Sequence, residues 1–477
     1  MSGALWTREE IAAATRGWIT DDLRPVTGIS IDTRTLAPGD LFFAIKGDAR
    51  DGHDFVKDAL ARGAAAAVMA QDQAADFVDH GTLVVVPDVL AAMRDLATVA
   101  RRRTNAQIVA ITGSVGKTGT KEAMRLVLSR QGATHASVAS YNNHWGVPLT
   151  LARMPQDSAF GVFEIGMNHA GEIEPLTRLV RPDVAVITSV EPVHIEYFRS
   201  IWGIADAKGE IFAGLEPGGA AIVNRDSPYY ERMRAHAAAS PAGRVLSFGE
   251  HPAADVRAER IILKADISIV EARVLGTPVV YRLGTPGRHV AMNSLSILAT
   301  VKALGGDLAL TALALGELKP PVGRGERTVL NAGAGEFVLI DESYNANPAS
   351  MRAALATLGQ TEPGFRGRRI AVLGDMLELG PEGASLHRRL AEPVAENRVD
   401  LVFAAGPLME NLFEALPRDR RGAYAAAAAE LKDAVLKTVR PGDVVMVKGS
   451  NSIRMGAIVA ALKQTFAGDA RAAASKG

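Results

Sequence analysis

The sequence predicts an α/β protein of three domains. A small α/β N-terminal domain is expected over residues 1–86, a central parallel-sheet domain of the P-loop ATPase kind over 87–318, and a C-terminal Rossmann-like domain over 319–477. Three observations carry this expectation. With 477 residues the chain holds about three domains of ordinary size. From about residue 87, strand and helix patterns alternate, the signature of a mostly parallel sheet covered by helices. Lys319-Pro-Pro-Val-Gly323 is the clearest linker, because adjacent prolines break both helix and sheet.

Composition narrows the function classes. Basic and acidic residues number 53 each, so the net charge of zero makes neither nucleic acid nor an anionic membrane an expected partner. Cysteine is absent, which excludes disulfides, thiolate metal sites and a cysteine nucleophile. The start of the chain lacks a basic region followed by an apolar core, and no charge-free apolar run reaches membrane-spanning length. A cytoplasmic location is the default expectation.

In the first segment, Gly28 to Arg34 and Gly39 to Gly47 read as strands with turn residues at their ends. Asp51-Gly-His-Asp-Phe-Val opens an alanine-rich helix, and Ala65 to Met69 is a further strand. Thr33, Arg34 and Lys46 lie on the intervening loops and would suit an anionic ligand, although exposed Arg and Lys are more often plain solvated surface.

The stretch Ile111 to Glu122 organises the second domain. Gln107 to Thr112 reads as a buried strand, Gly113 to Gly116 as a tight loop, and Lys117 onward as a helix reaching about Gln131. That is the strand-loop-helix setting of a phosphate-binding loop. Gly113, Ser114, Val115, Gly116, Lys117, Thr118 and Gly119 are therefore nucleotide-binding candidates: backbone N–H groups and the helix N-terminus favour a polyphosphate. Lys117 reaches the outer phosphates, and the Thr118 hydroxyl suits Mg²⁺. The full motif requires glycine five residues before Gly116, where Ile111 stands. The shorter spacing points away from switch GTPases and towards ATP-dependent amide ligases.

Ser140 to Pro148 forms a polar loop containing Asn142 and Asn143. Strand Phe160 to Glu164 follows, and ligands of open parallel sheets bind at strand C-terminal ends, so Glu164 is placed to meet a metal. An exposed strand-end carboxylate is the plain alternative. His194 follows strand Asp183 to Thr188 in a similar loop. Helix Ile204 to Phe212 carries Lys208, with Ile204 and Phe212 one turn away on either side. A helix lysine is normally a solvated charge, yet a buried one can lose its proton and react as an amine. Ala220 to Asp226 is another strand, and 253–283 alternates like antiparallel strands at a sheet edge. Gly287 to Asn293 opens a helix reaching Ala303, which suits a base-binding position or simply a capped helix.

Past the linker, Gly323-Arg324-Gly-Glu-Arg-Thr328 precedes Phe337 to Pro348. Strands at 369–373, 400–404 and 443–447 alternate with helices, and no dinucleotide fingerprint accompanies them, so NAD is not expected. Ala425 to Ala429 reads as a helix-forming run and the tail from Ala467 as disordered. No internal repeat is evident.

Taken together and in order, these residues resemble the Mur ligases of peptidoglycan precursor synthesis, over nearly the whole chain. The carriers are Asp32-Thr-Arg, Gly39-Asp-Leu-Phe-Phe-Ala, Thr112-Gly-Ser-Val-Gly-Lys-Thr, Asn142-Asn-His-Trp-Gly-Val-Pro and Glu164-Ile-Gly-Met-Asn-His-Ala-Gly-Glu-Ile. Ala207-Lys-Gly-Glu-Ile-Phe, Asp341-Glu-Ser-Tyr-Asn-Ala-Asn-Pro, Gly374-Asp-Met-Leu-Glu-Leu-Gly and Lys448-Gly-Ser continue them. The likeness is greatest to the type that joins D-alanyl-D-alanine to UDP-N-acetylmuramoyl-tripeptide, since the Asp-Asn-Pro-Arg signature of the sister enzyme is missing.

The resemblance implies an ADP-forming ligase that uses ATP and two Mg²⁺ ions, and a monomer is the default expectation. It implies that Thr33, Arg34 and Lys46 hold the UDP end of the substrate. Lys117 would bind the β- and γ-phosphates, with Thr118 and Glu164 on one Mg²⁺ and His194 on the second. Lys208 would be carbamylated and so become a metal ligand. Asn293 would approach adenine, while Arg324 and Asp341 close over ATP. The dipeptide would lie within reach of Asn345, Asn347 and Ser350. A folylpolyglutamate synthase-like ligase and a non-catalytic nucleotide-dependent binding protein are the alternatives. The first usually lacks an N-terminal UDP-binding domain, and the Glu164, His194 and Lys208 set speaks against the second.

Overall fold

The computed structural model describes residues 3–47, 50–138, 140–193, 195–264, 266–333 and 335–467. His194, and the tail beyond 467, lie outside the described residues.

The first sheet is built from β1 (Trp18–Ile19), β2 (Gly28–Ser30), β3 (Asp40–Phe43), β4 (Ala66–Ala70) and β5 (Leu83–Val86) in the order β1-β5-β4-β3-β2. Only β1 runs antiparallel to its neighbour. β3 and β5 are buried along their whole length, which is why they read as unbroken apolar runs. The strand expected over 39–47 is shorter, because Asp51 accepts from the His53 N–H and turns the chain into the helix Val56–Ala61. Helix Val89–Arg103 ties this domain to the next. Its Val89, Met93 and Leu96 pack with Trp6, Leu41 and Val68, whereas Ala97 joins the central core. The Trp6 indole N–H donates to the Ala152 carbonyl at 2.8 Å, under the Arg103 guanidinium at 3.5 Å.

The second sheet comprises β6 (Gln107–Thr112), β7 (Thr134–Ala136), β8 (Phe160–Glu164), β9 (Val184–Ile187), β10 (Ala220–Asn224), β11 (Arg244–Gly249), β12 (Val256–Leu263), β13 (Ser268–Val274) and β14 (Thr277–Leu283). Its order is β14-β13-β12-β11-β10-β9-β6-β8-β7. β6 lies between β8 and β9, parallel to both, so Thr112, Glu164 and Ile187 end at one sheet edge. β12 to β14 form the expected antiparallel margin. The helix expected from 204 starts earlier, at Ile201, because Ser200 accepts from the Gly203 N–H and caps it.

The third sheet contains β15 (Glu326–Asn331), β16 (Glu336–Glu342), β17 (Arg369–Gly374), β18 (Leu401–Ala405), β19 (Arg421–Ala425) and β20 (Val444–Lys448), ordered β15-β16-β20-β17-β18-β19. All neighbours except β15 and β16 are parallel, as a Rossmann-like domain requires. The alanine run needs correction at its first three residues: Ala425 ends β19, paired with Ala405, Ala426 and Ala427 lead into the cap, and the helix begins at Ala428. Sheet pairing overrides the helix preference of alanine there. Among the described residues no helix is long and apolar enough to cross a membrane.

Candidate active site

The phosphate loop is held from behind by the segment after β9. Ser189 accepts the Ser114 N–H through its carbonyl at 2.9 Å and the Val115 N–H through its hydroxyl at 3.0 Å. Ser114 Oγ donates to the Glu191 carbonyl at 2.9 Å and accepts the Glu191 N–H at 2.8 Å. Those two loop amides are therefore engaged by protein. The amides left for an anion are those of the first turn of helix Lys117–Ser129, where intrahelical acceptors are missing. Gly116 has φ 88°, and a Cβ there would run into the Asn293 carboxamide, so glycine is required on both counts.

Lys117 Nζ donates to the Gly113 carbonyl at 2.7 Å, folded back on its own loop. Burial lowers its pKa, the Glu164 charge opposes that, and Arg324 reinforces it. Glu164 is 1% exposed; Oε1 accepts from Asn142 Nδ2 at 2.8 Å, while Oε2 has no partner among the described residues. A buried carboxylate oxygen left unmatched in the same cavity as a threonine hydroxyl suits a hard divalent cation. Glu164 and Thr118 are the described donors of that type. No group of three or more His, Cys, Asp and Glu able to hold a metal occurs among the described residues.

Lys208 is 3% exposed on helix Ile201–Gly209. Burial first, then the charge of Lys117, pushes its amine well below the usual lysine range. Its neighbours fix its place. Gly209 admits the His236 ring, and the Glu210 carboxylate accepts the N–H groups of Gly171 (2.7 Å), Ile173 (3.1 Å) and Glu174 (3.2 Å).

The third domain closes a cavity of about 700 Å³ over this surface. Ser114 to Gly119, Asn142, Glu164, Asn293, Arg324, Asn345, Asn347 and Ser350 all line it. Arg324 lies 4.1 Å above the Tyr344 ring. Asn347 also caps helix Pro348–Gln360, exchanging hydrogen bonds with Ser350. The remaining sequence candidates stand elsewhere. Gly113 and Lys208 are not among the residues that line it. Asn143 accepts the Gly146 N–H at 2.9 Å, an end-of-helix role. Asp341 is buried and accepts from the Ser343 N–H and hydroxyl at 3.0 and 2.6 Å.

Thr33, Arg34 and Lys46 are not brought to this cavity. Thr33 is buried, and Arg34 is exposed and paired with Asp32 at 2.6 Å. Lys46 lines a separate cavity of about 850 Å³ with His53, Gln73 and Asp88. Ser140, His289, Glu342, Tyr344 and Lys448 line the main cavity without having been singled out from sequence. Lys448 Nζ donates to the Asn345 carbonyl at 2.9 Å and to Glu342 at 3.4 Å, and burial lowers its pKa. The signal was present in the Lys448-Gly-Ser and Asp341-Glu-Ser-Tyr motifs, but their side-chain roles depend on the folded arrangement.

A parallel-sheet phosphate loop beneath a Rossmann-like domain that shares its cavity defines a nucleotide-using enzyme class, and comparison with known proteins identifies it. Residues 25–110 match the description "Mur ligase family, catalytic domain", 111–301 "Mur ligase middle domain", and 323–451 "Mur ligase, glutamate ligase domain". The chain belongs to the Mur ligase family and is an ATP-dependent ligase. Within the family its likeness is to the MurF type. It is 34% identical over 438 residues to the UDP-N-acetylmuramoyl-tripeptide--D-alanyl-D-alanine ligase of Escherichia coli, covering 91% of this chain and 93% of the relative. It is 30% identical over 440 residues to the Rickettsia prowazekii ligase of the same name, covering 90% and 94%. The crystal structure of MurF from Acinetobacter baumannii superposes with a TM-score of 0.82 at 30% identity, covering 96% of this chain and 99% of that one. Mycobacterium tuberculosis folylpolyglutamate synthase shares the fold alone, at 18% identity and a TM-score of 0.59 over 78% of this chain and 93% of that one.

Proposed function

We propose that this enzyme joins D-alanyl-D-alanine to UDP-N-acetylmuramoyl-tripeptide in the cytoplasm, with ATP cleaved to ADP and phosphate, giving UDP-N-acetylmuramoyl-pentapeptide. The observation that carries the reading is the phosphate loop and unmatched Glu164 oxygen in one cavity with Arg324 of the third domain. The tripeptide carboxylate oxygen attacks the γ-phosphorus of ATP, ADP leaves, and an acyl phosphate forms. The amine of the dipeptide attacks the acyl carbon and loses a proton; the bond from that carbon to the phosphate oxygen then breaks, and inorganic phosphate departs with the oxygen and the bonding electron pair.

Both steps gather anions, so positive charge and positioning are the main demands. Lys117 leaves the Gly113 carbonyl for the β- and γ-phosphates, and Arg324 meets the transferring group from the opposite wall. Asn293, packed on Gly116, approaches the base. Glu164 and Thr118 would hold one Mg²⁺, and His194 with a carbamylated Lys208 would hold a second. Bound Mg²⁺ neutralises phosphate charge and polarises the phosphoryl group. Lys208 suits carbamylation because burial holds its amine well below the usual lysine range, which favours the unprotonated, nucleophilic form. Lys46 and its cavity receive the UDP end, in a domain bounded at 86, with the catalytic domain running to 318. Closure at the 319–323 linker excludes water from the acyl phosphate.

The test is phosphate release from ATP with each substrate supplied singly and together. Release that requires both UDP-N-acetylmuramoyl-tripeptide and D-alanyl-D-alanine is expected. Equal release with glutamate in place of the dipeptide would move the enzyme to another branch of the family.

A further inference from the structure

Tyr344 stands where the third domain meets the second, and three parts of it are engaged. Its N–H donates to the Gly323 carbonyl at 3.1 Å, so the interdomain linker is pinned beside it. Its ring carries the Arg324 guanidinium at 4.1 Å. Its hydroxyl crosses the domain boundary and donates to Ser140 Oγ at 2.9 Å. Ser140 Oγ is in turn 3.5 Å from Thr118 Oγ1, at the start of the phosphate-loop helix. Gly323, at φ 72°, makes the close approach possible, since a Cβ there would lie 3.0 Å from Tyr344 Cβ.

A guanidinium resting on an aromatic face has fewer orientations open to it, and the ring's own place fixes where that face points. The ring is located by the linker on one side and by Ser140 on the other. The position of Arg324 is therefore referred, through one hydroxyl, to the side chain next to Thr118. We propose that Tyr344 is a positioning residue for phosphoryl transfer: its hydrogen bond to Ser140 sets Arg324, and with it the closed seat of the third domain, over the phosphate loop. The proposal rests on the reading that ATP binds at that loop.

The experiment is a double-mutant cycle in the full-length enzyme at saturating substrates. Tyr344→Phe keeps the ring and its cation–π contact and loses only the hydroxyl; Ser140→Ala removes the acceptor. Loss of one neutral hydrogen bond at the transition state is expected to lower kcat about tenfold in each variant. KM for the UDP substrate and the unfolding midpoint should stay at wild-type values, which separates positioning from a purely structural bond. The double variant should lose no more than either single one, because the same interaction is removed twice. Wild-type kcat in Tyr344→Phe, or losses that multiply to about a hundredfold, would overturn the proposal. Lys117→Ala runs alongside and should abolish turnover while binding of the UDP substrate survives. Turnover retained in Lys117→Ala would overturn the nucleotide reading and this proposal with it. Turnover lost there but intact in both hydroxyl variants would overturn this proposal alone.

Discussion

Replacing Lys208 by methionine should make the protein more stable and nearly inactive. The amine is 3% exposed, and the one charge that bears on it among the described residues is that of Lys117, of like sign. Its pKa in the folded protein is therefore held well below the value of about 10.4 that a lysine shows in an unfolded chain. Below that unfolded value the unfolded state binds the proton more readily, so the lysine subtracts stability. The subtraction deepens as pH falls, until the folded pKa is reached. Each unit between the two pKa values weighs about 1.4 kcal/mol. Methionine has similar length and no charge to desolvate. In CO₂-free buffer its unfolding midpoint should exceed that of the wild type, by a margin that grows as pH is lowered from alkaline towards neutral. Phosphate release should fall by about 100- to 1,000-fold, the size expected when one preorganised electrostatic group is lost. Lys208→Arg is the companion variant: a guanidinium cannot shed its proton or take up CO₂, so it should lose both stability and turnover. The assays are denaturant unfolding across pH and phosphate release in bicarbonate. Full turnover of Lys208→Arg, or a Lys208→Met protein less stable than wild type near neutrality, would refute the reasoning.

Two further outcomes follow from the same geometry. Gly116→Ala should raise KM for ATP sharply, because alanine at φ 88° is strained by about 1–2 kcal/mol and its Cβ displaces Asn293; ATP titration of the purified variant measures this, and an unchanged KM would show that Asn293 does not approach the nucleotide. Lys46→Ala should raise KM for the UDP substrate about tenfold, the effect of one lost charged hydrogen bond, and leave KM for ATP unchanged. Steady-state kinetics with each substrate varied in turn distinguishes the two effects.

The parts of the site that were legible in the sequence are those whose chemistry is local. Gly113 to Thr118 announces itself because strand, tight turn and helix start are consecutive, and Glu164 because it ends a strand beside β6. Lys208 was flagged by apolar residues one helical turn away, and its burial follows from that same spacing. Short polar side chains were harder to assign, because one residue type serves both ligands and backbone. Asn143 and Asp341 hydrogen-bond to residues three and two positions ahead, as turn and cap residues do, while Asn347 caps a helix and faces the cavity at once. Least legible were contacts made only by docking one domain on another. Ser140 and Tyr344 are 204 residues apart, and nothing in either local sequence specifies that one hydroxyl will find the other. Yet this is where a ligase of this design must place its control. The phosphate loop and the arginine that faces it belong to different domains, so their alignment exists only when those domains meet. In the proposed mechanism, a hydroxyl pair at that boundary would make alignment conditional on closure, the step proposed to keep water from the acyl phosphate. The residues that form the site and those that assemble it therefore have different sequence signatures, the first as compact motifs and the second as isolated polar side chains.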